Sequence, residues 1–177
     1  MISVKPLQGA NGMRLDLAQA EETVLDDRDR KILRLLQEDA GLAVTAIADA
    51  VSLSVSACSR RIQRLEEAGY VSRRIAVLDR RKMGVPTTLF ALIRTATHDD
   101  GWISDFRKVI ASIPEIVEAH RVTGSIDYIL KIVLPNAEHY DIVYKQIIRQ
   151  ISLFDVSASI SMEILKSGLA LPVDYAE

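Results

Sequence analysis

The chain has 177 residues, of which 49% are hydrophobic and 26% charged, a formal net charge of -2 and one cysteine, Cys58. This is an ordinary globular composition, sized for one medium domain or two small ones, and it excludes an internal disulfide framework or a cysteine-built zinc cluster. No secretory signal pattern opens the chain and the most apolar run, VPTTLFALI from Val85, is far too short to span a bilayer, so a reducing cytoplasm and no membrane partner are expected.

Residues 1–24 have no steady period and are interrupted by Gly9, Asn11 and Gly12. They read as an extension with a short helix near LDLAQAEE. The first firm signal is LDDRDRKILRLLQEDA. Asp26 suits an N-cap, acidic residues follow in the first turn, and Leu25, Ile32, Leu33, Leu36 and Ala40 line one helical face until Gly41. VTAIADAV fits a second, short helix with Ile47, Ala48 and Val51 inward. After a break at Ser52-Leu53, Ser54 caps a third helix that stops at Gly69. Two such helices joined by a tight turn describe a helix-turn-helix. YVSRRIAVLD then reads as a short strand and RRKMGVP as a linker.

From Thr87 the period changes. TTLFALIRT is β-rich, and DGWISDFRKVIASI is helical, with Trp102, Phe106, Val109 and Ile110 on one side. IVEAHRVT alternates, GSID turns, YILKIVL is a strand, AEHYDIVYKQIIRQI a helix and VSASISMEIL a final strand. The order β-α-β-β-α-β is the ferredoxin-like arrangement, so the fold class is α+β. One face of its antiparallel sheet lacks a helical cover and is expected to meet another subunit.

The charge is unevenly spread. Residues 53–82 carry eight Lys and Arg against three Asp and Glu, a local +5 between two acidic regions. A basic block in an acidic chain points to a polyanion met by one segment. With each residue turning about 100°, Cys58, Ile62 and Leu65 share the inward side of the third helix. Ser56, Arg60, Gln63 and Glu67 face outward, with Ser59 and Arg64 on the flanks. Arg61 lies nearer the core edge, where its head reaches either a phosphate or an acidic neighbour. Arg pairs with guanine, Gln with adenine, and Ser with base or backbone. Flanking arginines, with Arg73 and Arg74 beyond the helix, neutralise phosphates. A charge run alone fits a solvated amphipathic face equally well; the adjoining turn and the regional charge favour double-stranded DNA. Cys58, on the inward face, reads as a small hydrophobe. His98, His120 and His139 show no metal-ligand spacing, so no metal, cofactor or catalytic residue is expected.

LDDRDRKILRLLQEDA, AIADAVSLSVSACSRRIQRLEEAGYV and HRVTGSIDYILKIVL together resemble the Lrp/AsnC, or feast/famine, transcription regulators, from about Leu25 to Leu171. The resemblance implies an N-terminal helix-turn-helix of the winged-helix type, a linking strand and a C-terminal βαββαβ ligand-sensing domain. The boundaries that follow are 1–24 for the extension, 25–74, 75–85 for the linker, 86–171, and 172–177 for a tail. It further implies a homodimer, which in many members assembles further into an octamer, and a cytoplasmic, nucleoid-associated protein. In the family's pattern Ser54, Ser56, Arg61 and Arg64 occupy DNA-binding positions, whereas geometry ranks Arg60 above Arg61. Val122, Thr123, Gly124, Ser125, Ile126, Asp127 and Tyr128 match the family's effector loop, which takes an amino acid. A Gly there lets backbone N–H groups approach a carboxylate, and Asp127 suits an α-ammonium. By itself the same stretch fits a plain hairpin turn.

Three departures from the pattern stand out. Ala43 replaces a usual Ser or Thr cap, Ser52 replaces a usual Gly in the turn, and Ser125 replaces a frequent acid. Two other functions share the architecture. Tetrapyrrole decarboxylases of related fold carry a His-Asn-Tyr stretch that Arg121 and Val122, after His120, do not continue. A nucleoid-organising protein of low sequence preference shares both the fold and the basic helix.

Overall fold

The computed structural model describes residues 24–168 and 170–176. The helix expected near LDLAQAEE lies outside the described residues. The chain divides into two compact units. One runs up to Ile75 and takes in the segment from Gly168 onwards; the other is Ala76–Ser167.

In the first unit, α1 (Asp27–Glu38) starts from a reciprocal capping box. The Asp26 carboxylate accepts from the Asp29 N–H at 2.8 Å, and Asp29 accepts from the Asp26 N–H at 3.2 Å, so two orphan donors of the first turn are satisfied. The helix ends at Glu38, three residues before Gly41. Its C-cap is Asp39, whose carboxylate accepts from the Gly41 N–H at 2.7 Å. Helix α2 (Val44–Ala50) starts at Ala43 without a side-chain cap, as the alanine there requires. Ser52 in the following turn has φ 54°, a left-handed conformation that costs a residue with a Cβ about 1–2 kcal/mol. Helix α3 (Val55–Glu67) is capped by Ser54, whose Oγ accepts from the Ala57 N–H at 3.3 Å. It closes with Gly69 at φ 80°. The N–H groups of Gly69 and Tyr70 bond the carbonyls of Glu66 and Leu65, both at 3.0 Å, a Schellman closure that only a glycine-like φ permits without strain.

Leu25, Ile32, Leu33, Leu36, Ile47, Ala48, Val51, Cys58, Ile62 and Leu65 form this unit's core. Each large side chain contributes about 1.5–3 kcal/mol by leaving water. Val173 joins them from a 3-10 turn, Val173–Tyr175, near the end of the chain. Arg30 donates to the Ala176 carbonyl at 2.8 Å, and Arg34 pairs with Asp174. The Gln37 amide exchanges two hydrogen bonds with the Leu171 backbone, at 2.6 and 3.1 Å. The segment expected as a tail packs with α1: from Gly168 onwards the chain belongs to the first unit.

YVSRRIAVLD is a correction: no strand forms between α3 and Thr87. A strand exists only with a ladder partner, and no described segment of this chain pairs with it. Ile75, Val77 and Leu78 are left exposed.

The second unit contains β1 (Thr87–Arg94), α4 (Asp100–Ser112), β2 (Ile116–Arg121), β3 (Tyr128–Leu134), α5 (Tyr140–Ile148) and β4 (Asp155–Ile160). The sheet order is β2-β3-β1-β4, with every neighbouring pair antiparallel, the ferredoxin-like topology expected from sequence. Leu89, Ala91 and Ile93 of β1 and Leu130, Ile132 and Leu134 of β3 pack with Phe106, Val109, Val143 and Ile147 of the helices. The opposite face of β1 and β3 carries Phe90, Leu92, Ile129, Lys131 and Val133, all only partly covered. The last strand is shorter than the run VSASISMEIL. Its partner β1 begins at Thr87, and the Ser161 N–H to Thr88 carbonyl bond, 2.9 Å, is the last available rung.

Candidate nucleic-acid interface and effector loop

Helix α3 presents the two faces that its sequence dictates. Cys58, Ile62 and Leu65 are buried at 0%, 6% and 0% exposure, while Ser56, Ser59, Arg60, Gln63 and Arg64 are exposed. Ser54 is engaged as the cap and lies 3.3 Å from the Ser56 hydroxyl. Gln63 donates to Glu67 at 2.8 Å. Beyond the helix, Arg74 pairs with Glu66 at 2.7 Å. Arg60 and Arg73 are exposed and have no hydrogen-bond or ion-pair partner among the described residues.

Arg61 and Arg64 are held differently. Arg61 Nη1 donates to Asp26 Oδ2 at 2.6 Å and to Asp29 Oδ1 at 2.9 Å. Arg64 Nη2 donates to Asp29 Oδ2 at 2.5 Å. Side-chain exposure is 26% for Arg61, 46% for Arg64 and 1% for Asp29. The sequence left Arg61 with either a phosphate or an acidic neighbour; in the folded chain its head lies on acids. Burial pushes the Asp26 carboxyl up, but the Asp29 N–H and the Arg61 guanidinium outweigh it and hold Asp26 below its ordinary value. Hydrogen bonds to Asp26 and then Asp29 raise Arg61 in turn. Burial pushes the Cys58 thiol up, against the opposing charge of Arg61, which keeps it a hydrophobe rather than a nucleophile.

Sequence reasoning missed Asp29 beyond its place in the first turn. A signal was available: Asp29 precedes Ile32, Leu33 and Leu36 by three, four and seven residues, so it occupies the apolar stripe of α1. A carboxylate on that stripe must be buried with partners.

In the second unit, the loop between β2 and β3 holds Val122, Thr123, Gly124, Ser125, Ile126 and Asp127. The Val122 N–H bonds the Asp127 carbonyl and the Asp127 N–H bonds the Ile93 carbonyl, both at 2.9 Å. Gly124 has φ 120°. A Cβ there would meet nothing within 4 Å, so backbone conformation rather than space calls for glycine. The Asp127 carboxylate accepts from the Thr95 N–H at 2.8 Å, and its other oxygen lies 3.9 Å from His98 Nε2. Tyr128 is not part of the open loop. Its ring packs against Phe106 and Trp102, with centroids 4.8 and 5.7 Å apart, and its buried hydroxyl has no partner among the described residues. No helix among the described residues is long and apolar enough to cross a membrane.

Residues 25–72 match the family model for a winged helix-turn-helix DNA-binding domain, and residues 88–171 match that for an Lrp/AsnC ligand binding domain. The HTH-type transcriptional regulator Zrp of Zymomonas mobilis is 51% identical over 152 residues, which cover 86% of this chain and 99% of that one. Among solved structures, an AsnC family transcriptional regulator from Agrobacterium tumefaciens is similar with a TM-score of 0.82 at 46% identity. That match covers 85% of this chain and 99% of the other. The transcriptional regulator NMB0573 of Neisseria meningitidis, solved as a complex with L-Met, is similar with a TM-score of 0.81 at 27% identity, covering 85% and 98%.

Proposed function

This chain belongs to the Lrp/AsnC family of transcriptional regulators, and from that premise we propose that it reads DNA sequence with α3 while an amino acid held at the 122–127 loop tunes its assembly. The family is one of DNA-binding regulators, not enzymes, so the tetrapyrrole decarboxylase alternative is set aside. The observation that carries the DNA reading is the outward row of α3, where Ser56, Ser59, Arg60, Gln63 and Arg64 stand exposed beside the helix-turn-helix turn. Their donors and acceptors suit base edges in the major groove, with the N-terminal half of the helix leading. Arg60 and Arg73 supply phosphate contacts, and Arg61 stabilises the mounting of the helix.

The effector half of the proposal rests on the loop. The N–H groups of Gly124, Ser125 and Ile126 have no acceptor among the described residues, and such consecutive donors suit a carboxylate. The Asp127 oxygen not engaged by Thr95, 3.9 Å from His98 Nε2, suits an α-ammonium. The L-Met complex of the Neisseria relative supports this ligand class. The partly covered sheet face and the unpaired 71–79 segment support a homodimer, and larger assemblies built from it, as the working form in the cytoplasm. An effector bound at the loop changes DNA affinity only by favouring one assembly over another.

The test has two arms. The unaltered protein is used to select duplexes from a randomised pool, and enrichment of a reproducible sequence is expected; a pool that stays random defeats the DNA reading. The twenty amino acids are then screened by thermal shift, since a ligand of the native state raises its stability, with light scattering to follow the assembled mass. A shift without any change in mass or DNA affinity contradicts control through assembly.

A further inference from the structure

Asp29 does more than cap α1. A capping carboxylate works on the surface, whereas this one is 1% exposed and lies among Ile32, Leu33 and Leu36. Its two oxygens receive two of the three arginines of α3, Arg61 at 2.9 Å and Arg64 at 2.5 Å, across 32 and 35 residues of chain. Arg60, on the same helix, touches neither acid. The three arginines of one helix are therefore in three states: doubly engaged, singly engaged and, among the described residues, without a partner.

We propose that Asp29 is a positioning residue for DNA recognition, which fixes the Arg64 guanidinium so that its unengaged edge faces outward in one orientation. This inference rests on the DNA-binding reading above. A guanidinium is a rigid plane with five N–H donors, and one bond at Nη2 leaves the remainder of the fork available. Arg64 is 46% exposed, so that remainder reaches solvent. An untethered arginine loses rotamer freedom when it meets DNA; a tethered one has lost that freedom on folding. Orientation matters for a bidentate contact to a base edge and little for a phosphate. Asp29 therefore acts on discrimination between sequences rather than on total affinity. Its negative charge also opposes indiscriminate phosphate binding.

The test uses the full chain carrying Asp29→Asn, which keeps the side-chain shape and removes the charge that grips both arginines. Fluorescence anisotropy measures binding to two duplexes of equal length, one selected from a randomised pool by the unaltered protein and one of mixed sequence. The ratio of the two affinities is expected to fall roughly ten-fold, the scale of one bidentate base contact, while binding to the mixed duplex tightens or holds. Arg64→Lys, which keeps the charge and loses the fork, is expected to lower the ratio similarly, and the double variant to lower it no further. A ratio unchanged in folded Asp29→Asn overturns the inference, and so do effects of the two substitutions that multiply. Where Asp29→Asn does not fold, Asp29→Glu, which keeps the charge and displaces the grip on Arg64, is measured in its place: an unchanged ratio overturns the inference and a fallen one supports it. An unaltered protein that selects no sequence overturns the DNA reading itself, and this inference with it.

Discussion

Each unit of the chain has an aspartate beside the site proposed for it, and the two are held differently. Asp29 holds side chains: its partners are the guanidinium groups of Arg61 and Arg64, two of the three arginines of α3. Asp127 holds backbone: its partner is the Thr95 N–H at the end of β1, so it fixes the loop that carries Gly124. The first is buried and the second is 29% exposed at the side chain. A buried carboxylate between cations is costly to disturb on either side. A partly exposed one on an amide is replaceable by any good acceptor.

That contrast breaks most visibly at Arg61. Arg61→Ala leaves Asp29 buried with one cation fewer and removes one of the two arginines that tie α3 to α1. A loss of about 2–3 kcal/mol is expected, read by thermal or urea denaturation as a shift in the transition of the first unit alone. Asp127→Ala removes the Thr95 bond and is expected to lower the stability of the second unit by about 1–2 kcal/mol. Asp127→Asn retains an acceptor for Thr95, so its fold stability should be nearly unchanged while any response to an amino acid is lost. Retained response in an effector titration of the Asn variant would show that Asp127 is a brace only. Ala43→Ser supplies the cap that α2 lacks, and a gain of about 1 kcal/mol is expected in the melting of the first unit.

The smallest effect is in pH. Asp26 in the first unit is held below its ordinary value against the opposing push of burial, and Glu118 in the second is lowered chiefly by its bond to Lys131. A lowered carboxyl contributes stability that is complete above its unfolded pKa, about 4, and disappears as the pH falls through the lower folded value. Both acids are about half exposed, so solvent screening keeps each contribution small. Asp26→Asn should flatten the acid limb of the first unit's melting curve and leave that of the second unchanged.

The fold was legible wherever local chemistry sets it. The caps at Asp26 and Ser54, the Gly69 stop, the inward trio of Cys58, Ile62 and Leu65, and the β-α-β-β-α-β order all follow from short-range pattern. The strain at Ser52 and the bare N-terminus of α2 followed from single residues that depart from a familiar motif. What was not legible depends on distant chain. The grip of Asp29 on α3 joins residues more than thirty apart. Among the described residues 170–176 Val173 alone is buried, while Leu171 and Tyr175 stay exposed, so the return to α1 leaves too little for a periodic signal. The 71–79 segment has the composition of a strand, but strand formation is a property of a pair, and the sequence of one member cannot supply the other. The open loop was legible in Gly124, whereas the bond from Thr95 to Asp127 was not.

The central claim is that the outward face of α3 meets DNA phosphates and base edges, with Arg60, which has no partner among the described residues, as one of its cations. The most direct measurement is the salt dependence of binding to a selected duplex, for the unaltered chain and for Arg60→Gln. The logarithm of affinity is expected to fall linearly with the logarithm of salt concentration, and Arg60→Gln to reduce the slope by about 0.9 for each protomer on the DNA. A slope that does not change on losing Arg60, or an affinity indifferent to salt, would contradict it.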